Sequence, residues 1–186
     1  MNKRGNLFVV SGPSGVGKDT IVKKYLENNE GHLSVSATTR KPREGEVNEV
    51  DYYFLSTEEF EKWISEDNFL EYATYNNCYY GTPKSKIEEQ LDKGIDVFLV
   101  IEVQGGLQIK EKFKDSILIF ILPPSLEELK ERLLKRNLDS EEMIENRLKI
   151  AEQEIEVSAK YDFMLVNRNV DSAVEKFSMI VKSQKN

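Results

Sequence analysis

Residues 7–20 of this chain read LFVVSGPSGVGKDT, an apolar run followed by a glycine-rich loop. A strand, a loop of this kind and the start of a helix form the context that a phosphate-binding loop requires. Glycines let the backbone curl until several N–H groups point at one anion, and the helix start adds its own N–H groups and positive dipole end. The stretch therefore predicts a nucleoside triphosphate site made of Gly12, Pro13, Ser14, Gly15, Val16, Gly17, Lys18, Asp19 and Thr20.

One position of this loop departs from the usual pattern. The residue after the lysine normally carries a hydroxyl that binds Mg²⁺, but here it is Asp19, and the hydroxyl follows at Thr20. We expect Mg²⁺ with ATP as the cofactor and either Asp19 or Thr20 as its ligand. The alternatives are that Asp19 turns to solvent, or that the whole loop is an ordinary glycine turn between a strand and a helix.

Composition limits the class of protein. With 186 residues, 39% of them hydrophobic and 32% charged, the chain fits one globular domain. Its net charge of −7 argues against a nucleic-acid surface, and no apolar run approaches the roughly 20 residues that span a membrane. We expect a cytoplasmic protein without a signal peptide, because the first predicted strand begins at residue 7 and the single Cys78 suits a reducing compartment.

Short apolar runs alternate with helical patterns along most of the chain. The runs lack polar alternation, as parallel strands covered on both faces do, and the predicted strands are residues 7–10, 97–101, 117–122 and 163–166. The predicted helices are residues 18–28, 84–93, 107–113, 126–135, 141–160 and 172–181. This alternation predicts a doubly wound α/β fold, a parallel sheet flanked by helices of the P-loop nucleoside triphosphatase type.

Residues 34–82 break the alternation. The predicted strands at 34–38, 52–55, 69–75 and 78–80 surround one short predicted helix at 57–66. We interpret this segment as an inserted, largely antiparallel subdomain.

The inserted segment carries a cluster of cations and tyrosines. Arg40, Lys41 and Arg43 fall within four positions in a proline-containing loop, and Tyr52 and Tyr80 follow. Arginine forks match phosphate oxygens, and tyrosine hydroxyls donate to the same oxygens. The cluster therefore predicts a second phosphoryl site; the alternative is a solvated basic loop beside tyrosines packed in a sheet.

Over residues 7–181 the chain resembles the guanylate kinases. The resemblance rests on SATTRKPR at 36–43, GEVN at 45–48, DY at 51–52, YGT at 80–82 and EVQG at 102–105. It implies a single domain with a core of 1–33, 84–125 and 156–186, a GMP-binding insert of 34–83 and a helical lid of 126–155. It also implies that ATP phosphorylates GMP, and dGMP, to the diphosphate by in-line transfer.

The resemblance assigns a GMP site. It implies phosphate contacts from Arg40, Arg43, Tyr52 and Tyr80, guanine contacts from Ser36, Glu71 and Thr82, and adds Glu46 and Glu102 to the set. Guanine presents N1–H and the 2-amino group as donors on one edge, and a carboxylate accepts from both. Glu71 is therefore expected to read the base, with an ordinary surface carboxylate on a strand as the alternative.

Arginines are dense in the predicted lid. Arg132 and Arg136 are four residues apart on one helical stretch, and Arg147 follows on the next. The resemblance implies that these three and Lys18 are the catalytic cations. The alternative is solvent-facing ion pairing, since Glu128 precedes Arg132 by four.

Two positions near the strand ends complete the resemblance. Asn167 follows the predicted strand 163–166, and the family pattern places it near the adenine of ATP; a turn residue is the alternative. Val100 stands where the family usually has an acidic residue. Together with Asp19, Val100 marks a departure from the family pattern around Mg²⁺.

Competing functions remain open at this level. One is a guanylate-kinase-like module that binds proteins without catalysis, which the intact loop with Lys18 argues against. Another is a kinase of a different nucleoside monophosphate, which Ser36, Glu71 and Thr82 argue against. We expect ATP and GMP as partners, no nucleic acid and no membrane, and a monomer or homodimer.

Overall fold

The structure, a computed structural model, describes residues 4–75, 77–135 and 140–184. Within these residues the strands are β1 (Leu7–Ser11), β2 (His32–Leu33), β3 (Ala37–Thr38), β4 (Tyr53–Phe54), β5 (Phe69–Tyr75), β6 (Cys78–Pro83), β7 (Val97–Val100), β8 (Ile117–Leu122) and β9 (Phe163–Val166). The helices are α1 (Lys18–Leu26), α2 (Thr57–Ser65), α3 (Lys84–Asp92), α4 (Val103–Lys112), α5 (Leu126–Lys135), α6 (Glu141–Val157) and α7 (Val170–Ser183).

A parallel sheet forms the core, with its strands in the order β2-β7-β1-β8-β9. Successive side chains of a strand point to opposite faces, so Phe8 and Val10 of β1 enter one apolar cluster and Val9 enters another. Helices α1 and α7 cover the first face, and α3 and α4 cover the second. The predicted parallel sheet flanked by helices is confirmed.

Strand β2 at the edge of this sheet has no counterpart in the sequence prediction. It consists of His32 and Leu33, which pair with Val97 and Phe98 of β7. Two partly exposed residues make no apolar run, so only their position beside β7 defines the strand.

A second sheet lies within the segment predicted as an insert, in the order β4-β3-β6-β5. Strands β3 and β5 pair antiparallel with β6, while β3 and β4 are parallel. The predicted, largely antiparallel character is thus correct, although the strands predicted at 34–38 and 52–55 shorten to two residues each. Helix α2 closes this sheet, since its buried Phe60 stacks on Phe69 with ring centroids 4.4 Å apart.

Helix α4 begins earlier than the sequence indicates. The prediction was residues 107–113, but the helix starts at Val103, and Val103, Gly105, Gly106 and Ile109 are buried. Adjacent glycines lower helix propensity, and packing on the core overrides that local preference. Helix α4 therefore starts directly after Glu102.

Helices α5 and α6 pack on each other in the segment predicted as a lid. Their contact is made by Leu129, Leu133, Ile144 and Ala151. The prediction carried α6 to residue 160, but the helix ends at Val157 and a 3-10 turn, Ser158–Lys160, follows. Across the described residues, no helix combines the length and apolar character needed to cross a membrane.

Candidate active site

The phosphate-binding loop joins β1 to α1. Gly17 caps α1 with φ of 98°, a left-handed conformation that favours glycine, and in the described structure no side chain caps this helix end. The first N–H groups of α1 are thus left for another acceptor. Lys18 is only 7% exposed, and its ammonium donates to the carbonyl oxygens of Gly12 at 2.5 Å and Pro13 at 3.3 Å.

Asn167, directly after β9, forms a hydrogen bond to the phosphate-binding loop. Its Nδ2 donates to the carbonyl oxygen of Val16 at 2.8 Å, and a Cβ placed on Gly17 would lie 2.7 Å from the same nitrogen. Its Oδ1 is buried and accepts no hydrogen bond from the described residues. The side chain therefore fixes the loop from the end of β9.

The cations of the predicted second site are organised by Glu46. Arg40 donates to both carboxylate oxygens of Glu46, at 2.8 and 3.0 Å, and the backbone N–H of Arg43 donates to Glu46 at 2.7 Å. The hydrogen bond from Arg40 lowers the pKa of Glu46, and Glu46 in turn raises the pKa of Arg40. The Arg40 guanidinium lies 5.4 Å from the ring centre of Tyr52, whose ring lies 6.2 Å from that of Tyr80.

Glu71 on β5 and Thr82 on β6 form a buried polar pair. Glu71 is 7% exposed and Thr82 is 1% exposed, and the Thr82 hydroxyl donates to Glu71 Oε1 at 2.6 Å. Burial raises the pKa of Glu71 above its usual range, while the Thr82 hydrogen bond and the charge of Lys112 act in the opposite direction. The surface-carboxylate alternative for Glu71 is wrong.

A cavity of about 310 Å³ separates the two halves of the site. Its lining from the core includes Asp19, Lys23 and Val100, and its lining from the second sheet and the loops beside it includes Ser36, Glu46 and Tyr52. The structure thus brings residues of the predicted triphosphate loop and of the predicted second anion site to one space.

The buried part of α6 carries a carboxylate, Glu154, on which the charges of Glu102 and Lys18 act. Burial and, to a smaller extent, the charge of Glu102 raise the pKa of Glu154 on α6 to about 7, while the charge of Lys18 acts in the opposite direction. The hydroxyl of Tyr161 donates to the carbonyl oxygen of Val103 at 3.3 Å. Burial is the main cause that raises the pKa of Tyr161 to about 12, and the charges of Glu154 and Glu102 make smaller contributions in the same direction. Glu154 and Tyr161 were missed from the sequence.

The three arginines of the predicted lid have different surroundings. Arg132 donates to the Glu128 carboxylate at 2.8 Å and to the carbonyl oxygen of Asn167 at 2.9 Å. The ion pair foreseen as the alternative is thus present, in a helix that contacts the end of β9. Arg147 is partly buried on α6, and Arg136 lies outside the described residues.

Nearly the whole chain is similar to one family of known proteins. The family model for guanylate kinase matches residues 4–184. A guanylate kinase of Clostridium tetani (strain Massachusetts / E88) is 54% identical over 183 residues, which cover 98% of this chain and 88% of that protein. The chain belongs to the guanylate kinase family.

Further guanylate kinases agree with this assignment. One from Caldanaerobacter subterraneus subsp. tengcongensis is 49% identical over 186 residues, which cover 100% of this chain and 90% of that protein. The crystal structure of guanylate kinase from Anaplasma phagocytophilum matches with a TM-score of 0.80 and 35% identity, over 98% of this chain and 87% of that one. The predicted family and enzyme class, an ATP:GMP phosphotransferase, are confirmed.

The spacing of residues along α6 in this member of the guanylate kinase family indicates that Glu154 faces inward. Arg147, Ala151 and Glu154 are spaced by four and three residues, which places them on one face of α6. Ala151 is 2% exposed, so this face points inward and carries Glu154 with it. Tyr161 had no comparable signal, because it follows the end of α6.

Proposed function

We propose that this chain transfers the γ-phosphoryl group of ATP to GMP, and to dGMP, giving ADP and the nucleoside diphosphate. Membership of the guanylate kinase family supports this reaction. The observation that carries it in this molecule is the shared cavity, with Asp19 of α1 on one side and Ser36, Glu46 and Tyr52 on the other. A donor on the loop and an acceptor on the second sheet would meet there.

On the donor side, the loop of residues 12–20 binds the outer phosphates of ATP through its N–H groups and Lys18. Binding exchanges the carbonyl oxygens that now accept from Lys18 for phosphate oxygens with more charge. Asn167 holds the loop through its hydrogen bond to the carbonyl oxygen of Val16. We place the adenine of ATP near Asn167, as the family pattern implies.

On the acceptor side, Arg40, Arg43, Tyr52 and Tyr80 bind the phosphate of GMP. The Glu46 carboxylate occupies both arms of the Arg40 fork, and a phosphate monoester presents the same pair of oxygens. Glu46 therefore holds the fork in the orientation that phosphate requires.

The guanine base is read by Ser36, Glu71 and Thr82. The buried Glu71 accepts from Thr82 through Oε1, and its remaining acceptor capacity matches the N1–H and 2-amino donors of guanine. Glu102, exposed at the start of α4, completes the GMP site.

Mg²⁺ fits the start of α1. Asp19 and Thr20 are both exposed there, and Mg²⁺ that travels with phosphates needs only one or two protein oxygens. We assign it to Asp19 or Thr20, since Val100 offers no ligand atom. When bound, Mg²⁺ neutralises charge on the phosphate oxygens of ATP.

The chemistry needs alignment rather than a general base. An oxygen of the GMP phosphate, already anionic, forms a bond to the γ-phosphorus while the bond from that phosphorus to the β-bridging oxygen breaks. Lys18, Arg132, Arg136 and Arg147 stabilise the charge on the migrating group. For Arg132 this requires exchanging its contact with Glu128 for the phosphates.

A nucleotide panel tests the function. We expect the purified protein to form ADP from ATP and Mg²⁺ in the presence of GMP or dGMP, measured in a coupled assay. AMP is the matched control, because adenine lacks the paired donors that Glu71 accepts. Equal turnover with AMP would contradict the guanine assignment, and no turnover with any acceptor would favour a non-catalytic module.

The rest of the proposal concerns the alternative function, the compartment and the partners. The non-catalytic alternative is not favoured, since the relatives reported above are named guanylate kinases and the loop keeps Lys18. We place the enzyme in the cytoplasm, acting as a monomer or homodimer on ATP and GMP, with no nucleic-acid partner.

A further inference from the structure

Helix α4 contacts the strand that carries Glu71 at two points. Gly105 lies in its first turn, and a Cβ placed there would be 2.9 Å from Oε2 of Glu71. Seven residues later, the Lys112 ammonium donates to the carbonyl oxygen of Leu70 at 2.8 Å. Seven residues are close to two turns, so both contacts come from one face of α4.

We propose that Gly105 and Lys112 are positioning residues for guanine specificity, which together hold the Glu71 carboxylate at one place in its pocket. The inference rests on the GMP kinase function proposed above. Each oxygen of the carboxylate then has its own constraint, because Oε1 accepts from Thr82 on β6 and Oε2 faces Gly105 on α4.

The space beside Oε2 exists only because residue 105 is glycine. A methyl group at this position would require the carboxylate to move, since real Cβ atoms essentially never approach another heavy atom within 3.0 Å. The carboxylate is buried and bound by Thr82, so any movement changes where it meets the base. The backbone of α4 therefore sets one wall of the guanine pocket.

Lys112 acts through both contact and charge. Its bond to Leu70 holds β5 one residue before Glu71, and Leu70 belongs to the same buried apolar cluster as Val103 and Ile109 of α4. Among the groups facing Glu71, β6 contributes the Thr82 hydroxyl and α4 contributes the charge of Lys112, and both oppose the effect of burial on the pKa of Glu71. Lys112 thus favours the ionised carboxylate, the form that accepts from two donors.

The first test is Gly105→Ala. Alanine has a higher helix propensity than glycine, so helix stability alone predicts an unchanged or higher melting temperature. Displacement of the Glu71 carboxylate should nevertheless weaken GMP binding. We expect KM for GMP to rise about threefold to tenfold while KM for ATP changes by less than about twofold. The ratio of kcat/KM for GMP to that for IMP, which lacks the 2-amino group, should fall by a similar factor. Gln108→Ala, at an exposed position of the same helix, is the control.

The second test is Lys112→Met, with Lys114→Met as its matched control at an exposed position beyond the helix. Removing the Lys112 charge lets the pKa of Glu71 rise further, so the acid limb of kcat/KM for GMP should move to higher pH. The profile of Lys114→Met should coincide with that of the wild-type enzyme. A merely structural role of Lys112 would lower activity without moving this limb.

The outcomes are separable. Wild-type preference for GMP over IMP in Gly105→Ala, together with an unmoved acid limb in Lys112→Met, would overturn the inference while leaving the GMP kinase function intact. Should Gly105→Ala lower the melting temperature, the pH profile of Lys112→Met decides alone. A wild-type protein that forms no ADP in response to GMP would overturn the proposed function, and this inference with it.

Discussion

Individual cations of this site already contact oxygen acceptors within the protein. Lys18 donates to the Gly12 and Pro13 carbonyl oxygens, and Arg40 donates to both oxygens of Glu46. In the proposed function, phosphate binding at these two residues would replace one set of acceptor oxygens by another. The side chains are thus oriented in advance, which reduces the entropy that binding must overcome.

At the residue scale, Lys18→Ala separates catalysis from folding. The proposed role of its charge on the migrating phosphoryl group predicts a loss of kcat of about 10²–10³-fold, by analogy with other charge-stabilising groups. The cost of burying its charge offsets the stabilisation from its two bonds to loop carbonyls, so the melting temperature should change by no more than about 4 °C. Steady-state kinetics and calorimetry measure the two effects.

Lys24→Ala is the matched control for this variant. Lys24 lies on the same helix but forms an exposed ion pair with Asp171 of α7, so its removal should leave kcat unchanged. A loss of folded structure in Lys18→Ala, rather than of rate, would show that the lysine is structural.

At the scale of elements, α6 joins the predicted lid to the core through one face. That face carries Arg147, the buried Ala151 and the half-buried Glu154, and Glu154 lies where the charges of Glu102 and Lys18 act on it. An ionised Glu154 is therefore poorly solvated and close to another carboxylate. Packing of α6 against the core therefore lowers the stability of the folded protein when the Glu154 carboxyl group is ionised.

The pH dependence of unfolding follows from this carboxyl group. Its pKa is about 7 in the folded protein and about 4.5 in the unfolded chain, so between these values the folded state binds more protons. Stability contributed by this group is therefore present below pH 4.5 and is lost as pH rises to 7. Glu154→Gln should raise the free energy of unfolding at pH 8 by on the order of 1–3 kcal/mol and leave it nearly unchanged at pH 4.5.

Urea titrations at the two pH values measure this difference. Glu152→Gln, at an exposed position of the same helix, should behave like the wild-type protein at both. Equal effects of Glu154→Gln at pH 4.5 and pH 8 would mean that the carboxyl group does not change its charge between them.

At the scale of the whole molecule, the core and the second sheet form opposite sides of one cavity. A ligand that binds only the folded protein stabilises it by mass action, by about 2.7 kcal/mol at a concentration one hundred times its Kd. For a chain of this size that corresponds to a rise in melting temperature of roughly 5–10 °C. We expect GMP to produce this rise, as measured by differential scanning calorimetry.

AMP at the same concentration is the control for the shift. It carries the same phosphate but lacks the paired donors for Glu71, so it should raise the melting temperature by clearly less than GMP. Equal shifts would show that the second site recognises phosphate without reading the base.

Much of the fold was predictable from local pattern. The strands β8 and β9 and the helix α5 have the predicted bounds, because each is a run with one clear periodicity. The start of α4 was wrong by four residues, since Gly105 and Gly106 look unfavourable until their burial against the core is known. The two-residue strand β2 was missed because pairing with β7 defines it.

The sequence predicted which residues belong to the candidate site better than it predicted which of their side chains contact each other. The pairing of Glu71 with Thr82 and the grouping of Arg40 with Tyr52 agree with the predicted GMP site, whereas the roles of these residues remain predictions. Glu154 and Tyr161 lie far along the chain from Lys18 and Glu102, and no local pattern relates them. The family pattern predicts that Asn167 lies near the adenine of ATP, but no local pattern indicates its hydrogen bond to Val16.

The sequence by itself determined the phosphate loop, the buried strands and the family, because glycine spacing, apolar periodicity and a set of short motifs are properties of neighbouring residues. Only the tertiary structure decided which distant groups meet. Asn167 bonds to a residue 151 positions away, and α4 meets β5 at Gly105 and Lys112. Such contacts depend on how helices pack on two sheets, and burial there sets the charge and position of the groups proposed to act.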